Sequence, residues 1–386
     1  MKSLSVLGAT GSIGKSTLDL VRHHHDRFRI GVLTANRNVD ALIALAREFR
    51  PDMVAIGDES RAGALRAGLD GLGIDVAAGE EGIVAAAAHP ADLTVAGILG
   101  AAGLRPVLAA IDRGGVIALA NKECLVCAGE LMTARVAERG ATLLPVDSEH
   151  NAIFQVFEGR HPERVERITL TASGGPFRGW DRARLADVTP EQAVAHPNWD
   201  MGRKISVDSA TLMNKGLEMI EAYHLFPIAA QRIDVLVHPQ SVVHSLVTYC
   251  DGSVLAQMGA PDMRTPIAYC LAWPDRMATS GARLDLMQLR RLDFEPPDTD
   301  TFRCLALARA ALRQGGGAPT VLNAANEIAV EGFLEGRLGF LAISDLVEET
   351  LARVDTKAPQ SLDTVFALDA EARRVARACL AHHAPA

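Results

Sequence analysis

The chain has 386 residues, of which 48% are hydrophobic and 22% charged. That is an ordinary globular composition, long enough for two or three domains. The formal net charge of −8 argues against a nucleic-acid partner, which needs a basic surface. No run of about 18 consecutive apolar residues occurs, so no membrane span is expected, and the first residues read as a strand rather than a targeting leader.

Short apolar runs at residues 3–7, 29–34, 53–56, 93–96, 116–118 and 142–146 alternate with helical patterns at 16–22, 39–49, 103–113 and 129–138. Strand and helix repeated in this way predict a doubly wound parallel sheet. From about residue 151 the pattern changes. Strand candidates at 167–172, 235–237, 241–248 and 254–258 lie between long loops rich in Gly, Pro and Asn. Such loops in a compact domain are often functional. The segment FEPPDTDT at 294–301 reads as a linker, and 302–313, 320–335, 343–354 and 369–382 read as helices. The expected fold is α/β: an N-terminal doubly wound, Rossmann-type domain over 1–147, a central α+β catalytic domain over 148–293, the linker 294–301, and a helical C-terminal domain over 302–386.

Six cysteines (Cys124, Cys127, Cys250, Cys270, Cys304 and Cys379) show no disulfide-framework spacing. Cys124 and Cys127 form a C-x-x-C with no second pair to complete a zinc site. Reduced thiols in a cytoplasmic protein are expected.

The loop GATGSIG, Gly8 to Gly14, follows the first strand and opens the first helix. Glycines there permit a tight turn, close approach of backbone N–H groups to a pyrophosphate, and tight packing of helix on strand. The helix N-terminus adds partial positive charge. The same stretch runs on as Gly14-Lys15-Ser16, which resembles the end of a phosphate-binding P-loop, but Ala9 occupies that motif's first glycine position. The second strand separates the two alternatives. It ends in Asn36, Arg37 and Asn38. An NAD site would place a carboxylate near there for the ribose hydroxyl, whereas the Arg37 cation suits a 2′-phosphate. NADP(H) is therefore favoured over both NAD and a P-loop nucleotide.

Residues 143–151, LLPVDSEHN, end a strand in two carboxylates, Asp147 and Glu149. If the backbone stays extended they point to one face, at the carboxyl end of a parallel strand, where open α/β sheets bind ligands. Either they sit in solvent or they hold a divalent cation with hard oxygen donors. Asn214, Lys215 and Glu218 share a face at helical spacing, with Lys215 suited to a phosphate, Asn214 to a hydroxyl and Glu218 to a metal. Asn121, Lys122 and Glu123 follow the strand run at 116–118, where Asn121 is equally a helix N-cap. The loop TASGGPF brings Ser173 and paired glycines. The loop HPNWDMG places His196, Trp199 and Met201 in a polar, Gly- and Pro-containing stretch fit for a lid. His238 and His244 read as structural.

GATGSIG, ALANKE, LLPVDSEHNAIFQ, TASGGPF, HPNWDMGRKISVDSATLMNKGLE and HPQSVVHSLV, in this order, resemble the 1-deoxy-D-xylulose 5-phosphate reductoisomerase family over nearly the whole chain. The resemblance implies an NADPH-dependent enzyme that uses Mg²⁺, Mn²⁺ or Co²⁺ to turn 1-deoxy-D-xylulose 5-phosphate into 2-C-methyl-D-erythritol 4-phosphate in the non-mevalonate isoprenoid route, by a retro-aldol/aldol sequence or a 1,2-shift. It implies that Asp147, Glu149 and Glu218 hold the metal, that Ser148, Lys122, Asn214 and Lys215 contact substrate, and that Ser173 and Ser209 join Asn214 and Lys215 at its phosphate. His196 lies over the substrate, and Trp199 and Met201 belong to a lid. Thr10, Gly11, Ser12, Ile13, Asn36, Arg37, Asn38, Asn121, Glu123 and Gly202 touch NADPH, Lys122 is the candidate proton donor, and a homodimer is implied. Cys124 replaces a serine common in the family and Asn36-Arg37 replaces Gly-Lys, which keeps the positive charge.

Three rivals stand beside this: a P-loop phosphotransferase, a non-catalytic NADP(H) sensor, and a dehydrogenase of the aspartate-semialdehyde type. The last needs a catalytic cysteine with a base partner, which neither Cys250 nor Cys270 has in sequence.

Overall fold

The computed structural model describes residues 1–197, 199 and 201–383. The chain divides into two compact units. One comprises Met1–Cys124, Met132–Phe154 and Asp262–Ala282; the other comprises Leu125–Leu131, Gln155–Pro261 and Arg283–Ala386.

The first unit is built on seven strands: β1 (Lys2–Leu7), β2 (Phe28–Ala35), β3 (Met53–Ile56), β4 (Asp75–Ala78), β5 (Leu93–Ala96), β6 (Val116–Leu119) and β7 (Thr142–Pro145). Their order is β4-β3-β2-β1-β5-β6-β7, and every neighbouring pair is parallel. Strands covered on both faces must be apolar throughout, and Leu4, Val6, Leu33, Val54, Val95, Ala118 and Leu144 are buried accordingly. The helix Arg264–Ala272 returns to this unit and adds Ile267 and Leu271 to the same core. The strand order reverses at β1, between β2 and β5, so the crevice of an open α/β sheet falls beside the end of β1. The doubly wound expectation is borne out. The sequence reading omitted β4 and the helix Gly79–Ala88, GEEGIVAAAA, whose alanine-rich composition carries no apolar stripe.

The second unit carries a mixed sheet of β8 (Val165–Ala172), β9 (Ile233–Val237), β10 (Val243–Tyr249) and β11 (Val254–Met258) in the order β11-β10-β8-β9. β8 and β9 are parallel; the other pairs are antiparallel. β10 and β11 form a hairpin closed by Tyr249 N to Ser253 O at 2.9 Å. Within that turn lies Cys250, the one exposed cysteine of the six. Four helices, Arg303–Gln314, Ala318–Leu334, Ala342–Arg353 and Leu362–Leu380, complete the unit, as the sequence pattern implies. Within the 294–301 segment, Glu295 pairs with Val237 of β9 through both backbone bonds at 2.9 Å, so this stretch is tied to the sheet edge.

The helix Met213–Leu225 lies hard against Arg303–Gln314: a Cβ added at Gly216 would stand 2.4 Å from the Cβ of Ala308. Neither atom can move without its helix, so Gly216→Ala should destabilise the protein by about 1–3 kcal/mol through overpacking, read as a lowered urea midpoint at unchanged m-value. An unchanged midpoint would contradict this packing.

Candidate active site

In the first unit the glycine loop divides its labour between three positions. Gly8 has φ +83, and a Cβ there would lie 2.7 Å from Gly97 O at the end of β5. A Cβ at Gly14 would meet Ala9 Cα and Gly8 O at 2.5 Å, so this glycine seats the helix on the strand. Gly11 has no such neighbour: its nearest atom would be 3.4 Å away. Gly11 and Ser12 are exposed, and Thr10 and Ile13 are half-buried. The helix Ser12–His23 starts at Gly11 with no side-chain cap, which leaves its first turn of amides aimed outward for an anion. Thr34, which sequence reasoning missed, holds the turn by accepting from Gly8 N through its hydroxyl at 2.9 Å.

At the end of β2, Asn36, Arg37 and Asn38 are exposed. Asn38 caps the helix Val39–Phe49 by accepting from Ala41 N at 3.1 Å. The Arg37 side chain is 79% exposed, 3.8 Å from Asp58, so its charge is available to a phosphate. This donor set fits a dinucleotide with a 2′-phosphate. Asn121 is spent otherwise: its amide donates to Ile98 O at 2.5 Å and Gly100 O at 2.8 Å, and its oxygen accepts from Cys124 N at 3.2 Å as a helix cap. Glu123 is buried one residue beyond Lys122.

β6 and β7 pair in parallel with Leu119 opposite Pro145, so the residues just past their carboxyl ends meet. Lys122 Nζ donates to Asp147 Oδ2 at 2.7 Å, with both side chains largely buried. The backbone is not extended through 147–149 as expected. Ser148 opens the helix Ser148–Val156, and Asp147 stands at its cap, accepting from Glu149 N at 3.2 Å and offering its carbonyl to Asn151 N at 2.8 Å. The two acids still converge, with a carboxylate oxygen of each within 4.8 Å of the other. Ser148 Oγ donates to Glu149 at 2.6 Å. His150, fully buried, donates from Nδ1 to Asp147 at 3.1 Å. It escaped the sequence reading, although its i,i+3 spacing from Asp147 marks it once that segment is helical. Hard carboxylate oxygens oriented by a lysine and a histidine fit a divalent cation.

In the second unit Asn214, Lys215 and Glu218 share one face of Met213–Leu225, as expected. Asn214 Nδ2 donates to Glu218 Oε1 at 2.5 Å, Lys215 is ion-paired to the same carboxylate, and Lys215 and Glu218 are both buried. Ser209 lies in the last turn of the preceding helix Arg203–Ala210, for which Gly202 is the N-cap. The loop after β8 packs on that end, where a Cβ at Gly175 would lie 2.9 Å from Ser209 O. Ser173 Oγ lies 2.9 Å from His196 Nε2 and accepts from Gly175 N at 3.1 Å. His196 Nδ1 accepts from Trp199 N at 3.0 Å, which fixes the neutral ring as the Nε2–H tautomer and leaves the Ser173 proton to donate to a ligand. Burial holds the His196 pKa below its usual value. Trp199 meets His244 edge to face at 6.3 Å. Met201 is half-buried; Asn198 and Asp200 of this loop lie outside the described residues. His238 is structural, with Nδ1 donating to Asp293 O at 2.8 Å and its ring stacked on Phe294.

A nicotinamide-type sheet with a phosphate-ready glycine loop, and buried lysine–carboxylate pairs on a second unit as well as the first, define an NADP-dependent oxidoreductase. Residues 4–129 match the model of the 1-deoxy-D-xylulose 5-phosphate reductoisomerase family, 143–226 that of its C-terminal domain, and 258–375 the DXP reductoisomerase C-terminal domain. A relative of that name in Rhodospirillum centenum is 58% identical over 97% of this chain and 94% of its own. The Zymomonas mobilis reductoisomerase solved with NADPH superposes with a TM-score of 0.94 at 53% identity, over 98% of this chain and 99% of that one. A DOX-P reductoisomerase solved with NADPH, fosmidomycin and magnesium gives 0.92 at 44%, over 99% and 98%. The chain belongs to the 1-deoxy-D-xylulose 5-phosphate reductoisomerase family.

Burial drives the His244 ring down to about 4, opposed by a backbone hydrogen bond at Gly259 and helped by the Lys215 charge. Burial alone brings His224 to about 4. An unfolded histidine titrates near 6.5, so as pH falls the unfolded chain takes up protons first. Stability is full above pH 6.5 and is lost between 6.5 and about 4, by on the order of 3 kcal/mol per ring. His244→Gln should flatten the fall in melting temperature across that window; an identical slope in both proteins would exclude His244 as a titrating group.

Proposed function

We propose that the chain isomerises and reduces 1-deoxy-D-xylulose 5-phosphate to 2-C-methyl-D-erythritol 4-phosphate, a step of the non-mevalonate isoprenoid route. The observation that carries this is the buried Lys122–Asp147 pair past the carboxyl ends of β6 and β7, in a sheet whose first loop and Arg37 suit NADPH. Family membership over nearly the full chain supports it. Residues 1–147 take the cofactor and contribute Lys122 and Asp147, 148–293 supply the remaining substrate and metal contacts, and 302–386 form a helical support.

Asp147, Glu149 and Glu218 hold the cation, Mg²⁺, Mn²⁺ or Co²⁺. When bound, that cation supplies Lewis-acid stabilisation of charge on substrate oxygens, and NADPH supplies hydride. Lys122 carries the proton nearest the reacting oxygens, and its link to Asp147 holds Nζ in place. Ser148 and Glu149 orient substrate hydroxyls. Ser173, Ser209, Asn214 and Lys215 grip the phosphate, whose remote binding energy goes into lid closure by Trp199 and Met201 over His196. Thr10, Gly11, Ser12, Ile13, Asn36, Arg37, Asn38, Asn121, Glu123 and Gly202 form the NADPH surface. Asn121 acts there by shaping the loop at Ile98 and Gly100.

The protein works in the cytoplasm as a homodimer. No helix among the described residues is long and apolar enough to cross a membrane. The edge strand β11 exposes Val254 and Leu255, a surface that a second copy would cover.

Excess chelator should abolish metal-dependent NADPH oxidation with 1-deoxy-D-xylulose 5-phosphate. Glu218→Gln or Asp147→Asn should lower kcat by about 100-fold or more, while NADPH affinity, read by fluorescence titration, stays within about threefold. Equal loss of turnover and NADPH binding would overturn the metal assignment. Arg37→Ala should raise the KM for NADPH by about tenfold and leave that for NADH unchanged; equal effects on both would remove Arg37 from the 2′-phosphate.

A further inference from the structure

Asp208 is 1% exposed in the helix Arg203–Ala210, one residue before Ser209, and nothing in the proposed chemistry uses it. Two donors hold it. Lys204, one turn earlier on the same helix, reaches Oδ2 at 2.9 Å. Asn326, on the helix Ala318–Leu334, donates to Oδ1 at 2.8 Å across 118 residues of sequence. Asn326 is itself fully buried, and its own oxygen is without a hydrogen-bond partner.

A buried carboxylate costs several kcal/mol in desolvation, and replacing such groups by apolar ones is often neutral or stabilising. The arrangement is therefore poorly explained as a source of stability. What it does supply is direction: a charge-assisted bond from one fixed donor sets the rotation of the helix about its own axis. That rotation matters at the next residues. Thr211 accepts no freedom either, since its hydroxyl bonds to Val207 O at 3.1 Å and Asp208 O at 3.2 Å and also accepts from Met213 N at 3.3 Å. Leu212 then takes the left-handed conformation, φ 61 and ψ 9, which is uncommon for a bulky residue and has to be imposed by its surroundings. This corner turns the chain from Ser209 to Asn214 and Lys215.

We propose that Asp208, held by Asn326 and Lys204, is a positioning residue for substrate phosphate: it fixes the corner that brings Ser209, Asn214 and Lys215 to bear on one anion. The proposal rests on the phosphate role assigned above to those three side chains.

Steady-state kinetics of the full-length, metal-loaded enzyme with 1-deoxy-D-xylulose 5-phosphate and NADPH test it, using Asp208→Asn, Asn326→Leu and the exchange Asp208→Asn with Asn326→Asp. The single variants should raise the KM for the sugar phosphate about tenfold, with kcat within about threefold and the KM for NADPH unchanged. Inhibition by inorganic phosphate should weaken in parallel, and the exchange, which restores a donor facing a carboxylate, should recover most of the loss. Unchanged sugar-phosphate KM in both single variants, or an equal decline in both KM values, would overturn the proposal. Should Asp208→Asn fail to fold, Asn326→Leu decides alone, because Lys204 still faces the Asp208 carboxylate once the Asn326 donor is gone. Absence of turnover by the unmodified enzyme would instead refute the phosphate reading itself.

Discussion

Parallel pairing sends the carboxyl ends of all seven strands of the first sheet to one edge, and the chemistry of that unit follows from it. β1 and β2 end in the glycine loop and the Arg37 cation, β6 in Lys122 and β7 in Asp147. None of these groups is near another in sequence, yet the register that sets Leu119 opposite Pro145 leaves Lys122 and Asp147 little choice but to meet. The reversal of strand order at β1 then opens the crevice where a dinucleotide can lie along the same edge.

Charge is handled alike in the two units. Each buries a lysine against a carboxylate, Lys122 with Asp147 and Lys215 with Glu218. Taking these ions out of water is costly, and each pair recovers the cost only through further bonds. His150 and the Glu149 amide provide them for Asp147, and Asn214 provides one for Glu218. The result is a set of carboxylates already paired and oriented before any cation arrives, which is the arrangement a divalent cation requires.

Much of this was legible in the sequence. The face shared by Asn214, Lys215 and Glu218 follows from helical spacing, and the strand–glycine loop–helix unit from the alternation of patterns. The turn of the chain at Asp147 was not foreseen, because a strand run leading into DSEHN gives no sign of where extension stops; the cap formed by Asp147 is what stops it. β4 and its following helix were lost for want of periodicity in an alanine-rich stretch. Asn121 shows the opposite difficulty: its motif points to the cofactor, while its amide is committed to two loop carbonyls. Long-range pairings such as Asp208 with Asn326 leave no local trace at all.

The distribution of thiols has a practical side. Cys124, Cys127, Cys270, Cys304 and Cys379 are buried, and burial pushes the Cys304 thiol up to about 12 and Cys270 higher still. Thiolate, not thiol, attacks an alkylating reagent. The unmodified protein thus carries a single addressable sulfur at Cys250, within the β10–β11 turn. A fluorophore or spin label placed there would report on the edge of the second sheet without any cysteine having to be removed.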